Sequence, residues 1–197
     1  MRELVAIEFL SVDGVMQGLG SPDEDREGGF RHGGWGAPYA EAIHTSTSED
    51  GLSGTSAYLF GRKTYEKMAA FWPHQPPSDV MASHLTSTSK HVASTTLGDA
   101  DATWDNTTVM SGDLATEVAR LKATGTGDIA VLGSGVLVRA LMQHGLVDSL
   151  RLFVHPLVLG SGKRLFPELD EPLSLTLTSC GTTSSGSLVV SYDLARG

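Results

Sequence analysis

The chain has a single cysteine, Cys180, among its 197 residues. That excludes a disulfide framework and a thiolate metal site built from this chain. Long apolar runs are missing as well: none approaches the roughly 18–20 residues of a membrane span. The first apolar segment follows Arg2 and Glu3 and is broken at Glu8, so no signal peptide is expected. Basic charge is scarce. Lys and Arg number 14 against 23 Asp and Glu, a formal net charge of −9, and such a surface disfavours nucleic acid. The expected setting is cytoplasmic, with neither a nucleic-acid nor a membrane partner.

Catalytic signatures are also few. The seven histidines (32, 44, 74, 84, 91, 144 and 155) show no H-E-x-x-H or H-x-H spacing, so no metal site is expected. Ser134 has glycine on both sides instead of the G-x-S-x-G of a nucleophile elbow. Gly162-Lys163-Arg164 lacks the upstream glycine and the following hydroxyl of a Walker A loop.

What is present is the make-up of one globular domain over residues 1–197, 40% hydrophobic and 19% charged. Residues 4–10, LVAIEFL, read as a buried strand with one polar position, and Ser11 to Gly14 as a turn. Residues 18–36 hold seven glycines with Phe30 and Trp35 among them. Such a loop is either a lid or disordered, and the two aromatic anchors favour the lid. Pro38 suits the first turn of a helix over 38–50. Short strands are expected at 57–60, 91–94, 107–110 and 129–132. Helices are expected from the Thr64 N-cap to residue 70, from the Asp113 cap to 123, and after Gly135. Residues 149–155 and 157–159 read as strand. Period-two alternation at 173–179 and 187–194, with Gly181 to Gly186 between, reads as a C-terminal antiparallel hairpin. Strands alternating with helices before an antiparallel end give an α/β fold with a mixed, mostly parallel sheet and flanking helices.

Two strand-end turns carry the chemistry. Gly133-Ser134-Gly135 opens a helix whose first amides and positive dipole end suit an anion. Gly61-Arg62-Lys63-Thr64 adds two cations and a hydroxyl, and the Arg fork suits a phosphate. Both turns fall at the carboxyl ends of predicted strands, where open α/β sheets bind ligands. Together they suggest a dinucleotide: pyrophosphate on the glycines, a further phosphate on Arg62 and Lys63.

The segments SVDGVMQG (11–18), LFGRKTYEKMAAFWP (59–73), KHVAST (90–95) and IAVLGSGVLVRALMQHGLVDSLRLFVHPLVLGSGKRLF (129–166) fall in one order along the chain. In that order the chain resembles the dihydrofolate reductase-like superfamily, and more narrowly the reductase domain at the C-terminus of bifunctional riboflavin-biosynthesis deaminase-reductases. The resemblance implies a sheet of about eight strands with helices on both faces, an NADPH cofactor, a small-molecule substrate and a homodimer. It places cofactor phosphates on Gly61, Arg62, Lys63 and Thr64, and adenosine near Ser94 and Thr95. The pyrophosphate falls on Gly133, Ser134 and Gly135 with Val136 and Leu137. Ala6 and Asp13 flank the meeting point of nicotinamide and substrate, and Asp13, Glu41 and Tyr39 are candidate proton sources. Trp35 is the candidate lid residue. The chain departs from the folate enzymes where their pterin-protonating acid falls on Ala40. Glu41, one residue on, is swung about 100° around a helix. Reduction of dihydrofolate itself is therefore not expected. The zinc signature of a deaminase is missing. The expectation is an NADPH-dependent reductase of another small substrate, with a non-catalytic nucleotide-binding module as the alternative.

Overall fold

In the computed structural model, which describes residues 1–42, 52, 54–166 and 172–195, the first strand explains the architecture. On β1 (Leu4–Ser11) Leu4, Ala6 and Leu10 pack into one core cluster, while Ile7 packs into a second with Val5 and Phe9. A strand apolar on both faces belongs in the middle of a sheet covered on both sides. β1 does sit there, hydrogen-bonded in parallel to β5 (Asp128–Val131) and to β6 (Ser149–His155). The other strands are β2 (Thr55–Gly61), β3 (Ser89–Ala93), β4 (Thr107–Met110), β7 (Leu175–Thr182) and β8 (Leu188–Leu194). The sheet runs β4-β3-β2-β5-β1-β6-β8-β7. It is parallel from β4 to β6, and β8 and β7 add antiparallel at the far end.

Four helices among the described residues cover the two faces. Tyr65 from α1 (Arg62–Phe71), with Met81 and Leu85 from α2 (Val80–Ser87), packs in the cluster of Ile7. Val118 and Leu121 from α3 (Leu114–Ala123), with Leu137, Val138 and Leu141 from α4 (Gly135–Gln143), pack in the cluster of Leu4. No described helix is long and apolar enough to cross a membrane.

Several local expectations shift. α1 starts at Arg62 with Gly61 as its N-cap, so Thr64 lies within the first turn and is not the cap. α2 follows the Pro-rich segment PHQPPSD (73–79), where the sequence pattern predicts no helix. Its run VMASHLTS is rich in Ser and Thr, weak helix formers, and it is set by the Asp79 carboxylate accepting from Ala82 N–H at 2.9 Å. Residues 157–159 are not strand, and Gly181 lies inside β7. Cys180 is exposed on that edge strand. Of the helix expected at 38–50, Ala37–Tyr39 form a 3-10 turn and residues 40–42 are helical, while 43–50 lie outside the described residues. β6 is an interior strand, paired on both edges.

One buried ion pair ties the start of β1 to its neighbours. Lys122 Nζ lies 2.5 Å from Asp148 Oδ2, with side chains only 7% and 13% exposed, and the same oxygen accepts from Leu4 N–H at 2.7 Å. Asp148→Ala strips a buried ammonium of its counter-ion and a strand amide of its acceptor. It is expected to destabilise the fold by about 3–5 kcal/mol, read as a lower urea midpoint. A loss below about 1 kcal/mol would mean the pair behaves like a surface one.

Candidate active site

The two strand-end turns meet. Gly61 N–H donates to Gly133 O at 3.1 Å, and a Cβ on Gly61 would stand 2.7 Å from Ser134 Oγ. Gly133 has φ +93°, a conformation that side-chain-bearing residues rarely adopt. The Gly133–Ser134 peptide bond is cis. Gly61 and Ser134 are also the N-cap residues of α1 and α4, and neither helix has a side-chain cap. α2 and α3 differ: Asp79 and Asp113 each accept from a first-turn amide at 2.9 Å. The first intrahelical bond of α4 is Val138 N–H to Ser134 O at 3.0 Å. The amides of Gly135, Val136 and Leu137 therefore precede the ladder and are open to an external acceptor, as are the first amides of α1.

Both helix starts open into a cavity of about 1310 Å³ at the carboxyl ends of β2, β3, β4 and β5. The sequence-predicted residues Gly61, Arg62, Lys63 and Thr64 line it. So do Ser94, Thr95, Gly133, Ser134, Gly135, Val136 and Leu137. Ser94 Oγ accepts from Thr96 N–H and Leu97 N–H, at 3.1 and 2.9 Å, and so shapes the turn after β3. Arg62 Nη1 lies 2.8 Å from Glu66 on its own helix. On the other side of β1 the cavity continues into an apolar compartment walled by Ile7, Phe9, Tyr58, Met68, Trp72 and Met81.

Five sequence-predicted residues lie off the cavity wall. Ala6 is fully buried in the core cluster of Leu4, because its side chain faces the sheet-covering helices. Asp13 closes a turn: its carboxylate accepts from Ser11 Oγ at 2.7 Å, Leu159 N–H at 3.1 Å and Gly160 N–H at 2.9 Å. The Ser11 hydroxyl and these two amides hold its carboxyl down to about 2, so it carries no proton to donate near neutrality. Trp35 is buried with Val15 and Phe30, its Nε1–H donating to Gln17 O at 2.7 Å; it anchors the loop and does not cover the cavity. Glu41 accepts from Ser184 N–H and Ser185 N–H, at 3.0 and 3.1 Å, and from Ser184 Oγ, which holds its carboxyl below the usual value. It fastens the β7–β8 turn. Tyr39 stacks on His155, ring centroids 4.7 Å apart.

The loop over 18–36 is strapped down across the cavity mouth. Lys163 Nζ reaches Asp25 at 2.7 Å and Glu27 at 2.6 Å, and Lys67 Nζ donates to Glu24 O at 2.7 Å. Its cavity-facing residues are Gly18, Leu19, Glu24, Asp25 and Glu27.

Sequence reasoning passed over Glu8, the polar position within LVAIEFL. It is 5% exposed, lines the cavity, and its Oε1 has no hydrogen-bond partner among the described residues. Burial raises its carboxyl to about 8, opposed by the Arg139 cation. The signal was available, since an acid inside a two-faced apolar strand is rarely buried unless it is used.

Comparison with known proteins places this geometry in context. Residues 3–189 match the family model described as RibD C-terminal domain. The uncharacterised protein YyaP of Bacillus subtilis (strain 168) is 30% identical over 146 residues, 73% of this chain and 76% of its own length. Among solved structures, a putative riboflavin biosynthesis protein from Shewanella sp. PV-4 superposes with a TM-score of 0.70 at 18% identity, covering 98% of this chain and 99% of its own. The dihydrofolate reductase from Enterococcus faecalis, complexed with NADP(H) and RAB-propyl, gives 0.59 at 16% identity, covering 98% and 97%. The fold is therefore dihydrofolate reductase-like.

Two outcomes follow from these side chains. Asp13→Ala leaves the Leu159 and Gly160 amides without their acceptor and is expected to cost about 1–2 kcal/mol in chemical unfolding. Because the Asp13 value is depressed, its contribution is full above pH 3.8 and is lost as pH falls through about 2. Glu8 behaves oppositely. Its folded value lies above the ordinary 4.5, so the unfolded chain releases this proton first and stability falls as pH rises from 4.5 to 8. Glu8→Gln should raise the Tm at pH 8 and match wild type near pH 4.5. An equal Tm difference at both pH values would show that Glu8 does not titrate in the fold.

Proposed function

Because the chain belongs to the RibD C-terminal domain family, we propose that it is an NADPH-dependent reductase of a small substrate other than dihydrofolate. The observation that carries this reading is the pair of uncapped helix starts, α1 and α4, touching at Gly61 and Gly133 and facing one cavity. Open amides at two dipole ends suit the pyrophosphate of a dinucleotide. At about 1310 Å³ the cavity exceeds the roughly 300–1,000 Å³ of a site for one small molecule, which leaves room for a second.

The nicotinamide ring, when bound, supplies the hydride. The protein holds and sorts. The amides of Gly135, Val136 and Leu137 take the pyrophosphate. Arg62 and Lys63 take the 2′-phosphate, the Arg62 fork by bidentate contact. Ser94 and Thr95 border the adenosine end. The apolar compartment around Ile7, Phe9 and Trp72 takes the substrate and keeps water from it. Ala40 offers no acid and Glu41 is committed to Ser184 and Ser185, which disfavours pterin reduction. A compartment beyond the nucleotide cradle favours a reductase over a module that only binds nucleotide. Pairing into a homodimer belongs to the same reading, with edge strand β7 and its exposed Leu177 as a supporting face.

The test is a fluorescence titration with NADPH and NADH. Wild type should bind NADPH tightly, and Arg62→Ala should lose about tenfold, or ~1.4 kcal/mol, for NADPH with NADH little changed. Binding of neither nucleotide would overturn the proposal.

A further inference from the structure

Resting on that reading, we infer that Glu8, as a neutral carboxylic acid, is the cavity's anchor for a primary carboxamide, the polar end of a nicotinamide ring. The placement argues for it. Glu8 lines the cavity beside the contact of the two turns: its Oε1 lies 4.0 Å from where a Cβ on Gly133 would stand, and Thr64 Oγ1 lies 3.4 Å from the same point. It is thus set where the phosphate cradle passes into the apolar compartment.

A merely structural acid at this depth would be satisfied by the protein. Oε1 is not, and leaving such an oxygen bare costs about 1–3 kcal/mol. The surroundings do not offer what it lacks. Across the sheet its partner on β6 is Leu152. α1 presents Thr64, which carries no charge, and the turn after β5 presents glycine. The cation that acts on it is Arg139 of α4, whose Nη1 is engaged by Arg164 O at 2.8 Å. At the mouth, Lys163 is paired with Asp25 and Glu27.

The chemistry of the occupant follows. A second carboxylate or a phosphate at this corner would meet an acid in a poorly solvated place, and only the protonated form of Glu8 could tolerate it. A carboxamide is complementary. The carboxyl O–H donates to the amide oxygen, and the carboxyl C=O accepts from the amide N–H, closing a two-bond ring. Above about pH 8 the acid ionises. The donor is then lost, and with it the bond to the amide oxygen.

The experiment is isothermal titration of NADPH, and of 2′-phosphoadenosine diphosphoribose, which lacks the nicotinamide ring, into wild type, Glu8→Gln and Glu8→Leu. Titrations run from about pH 6.5 to 9.5, with thermal melts to show that each variant is folded. Wild type should bind NADPH evenly up to about pH 8 and then lose up to about tenfold per unit. Glu8→Gln, which can form the same ring with a side-chain amide but cannot ionise, should bind well at neutral pH and show no such fall. Glu8→Leu should lose about tenfold or more at every pH below 8. The ring-less fragment should be indifferent to both substitutions and to pH across 8. A flat wild-type NADPH profile, a Glu8→Leu variant that binds like wild type, or a fragment that shares the pH dependence would each overturn the carboxamide anchor while leaving the reductase reading standing. Failure of both the dinucleotide and the fragment to bind at any pH would overturn the two together.

Discussion

The site hangs on the approach of two backbone turns, Gly61 N–H to Gly133 O. Parallel strands β2 and β5 are neighbours, so the helices that follow them begin side by side. Whether those beginnings form one surface depends on how closely the turns approach. A side chain at 61 would run into Ser134, and a side chain at 133 would be held in a left-handed conformation. With glycine at both places the two dipole ends add on one wall. The missing side-chain caps belong to the same constraint, because a capping carboxylate like Asp79 or Asp113 would occupy the amides that a ligand anion needs.

From that contact the division of the cavity follows. β1 runs through the middle of the sheet and sends alternate side chains to opposite faces. Ile7 and Phe9 therefore wall the apolar side, and Glu8 between them reaches the side of the Gly133 turn. The loop over 18–36 is held across the mouth by Lys163, Lys67 and the buried Trp35. Its aromatic residue fixes the strap, and its acidic residues face inward.

Glu8 costs the fold stability at neutral pH, a cost that the carboxamide anchor proposed above would account for. A buried acid whose value is raised towards 8 weakens the fold at neutral pH relative to a neutral isostere. A group of this kind at a cavity wall is a common mark of sites where stability yields to chemistry. Asp13 and Glu41 show the reverse. Each is ionised and satisfied by several donors, and each fastens a loop or turn without touching the cavity.

The sequence by itself determined the class of fold, because two-faced apolar strands, glycine turns and amphipathic runs are local patterns with fixed periods. It also marked residues that line the cavity: Gly61 to Thr64, Ser94, Thr95 and Gly133 to Leu137 are strand-end residues, and the carboxyl ends of parallel strands converge by topology. Tertiary structure decided which polar groups face the cavity. Ala6 and Glu8 lie on the same side of β1, yet one is sealed beneath the core and the other opens to the cavity, since exposure along a strand depends on where the covering helices begin. Asp13, Trp35 and Glu41 are adjacent in sequence to candidate chemistry, but their partners are Gly160, Gln17 and Ser184. For Asp13 and Glu41 those partners lie more than a hundred residues away. No local pattern encodes such pairings, and they, more than residue type, fix whether a carboxyl holds a proton or an amide.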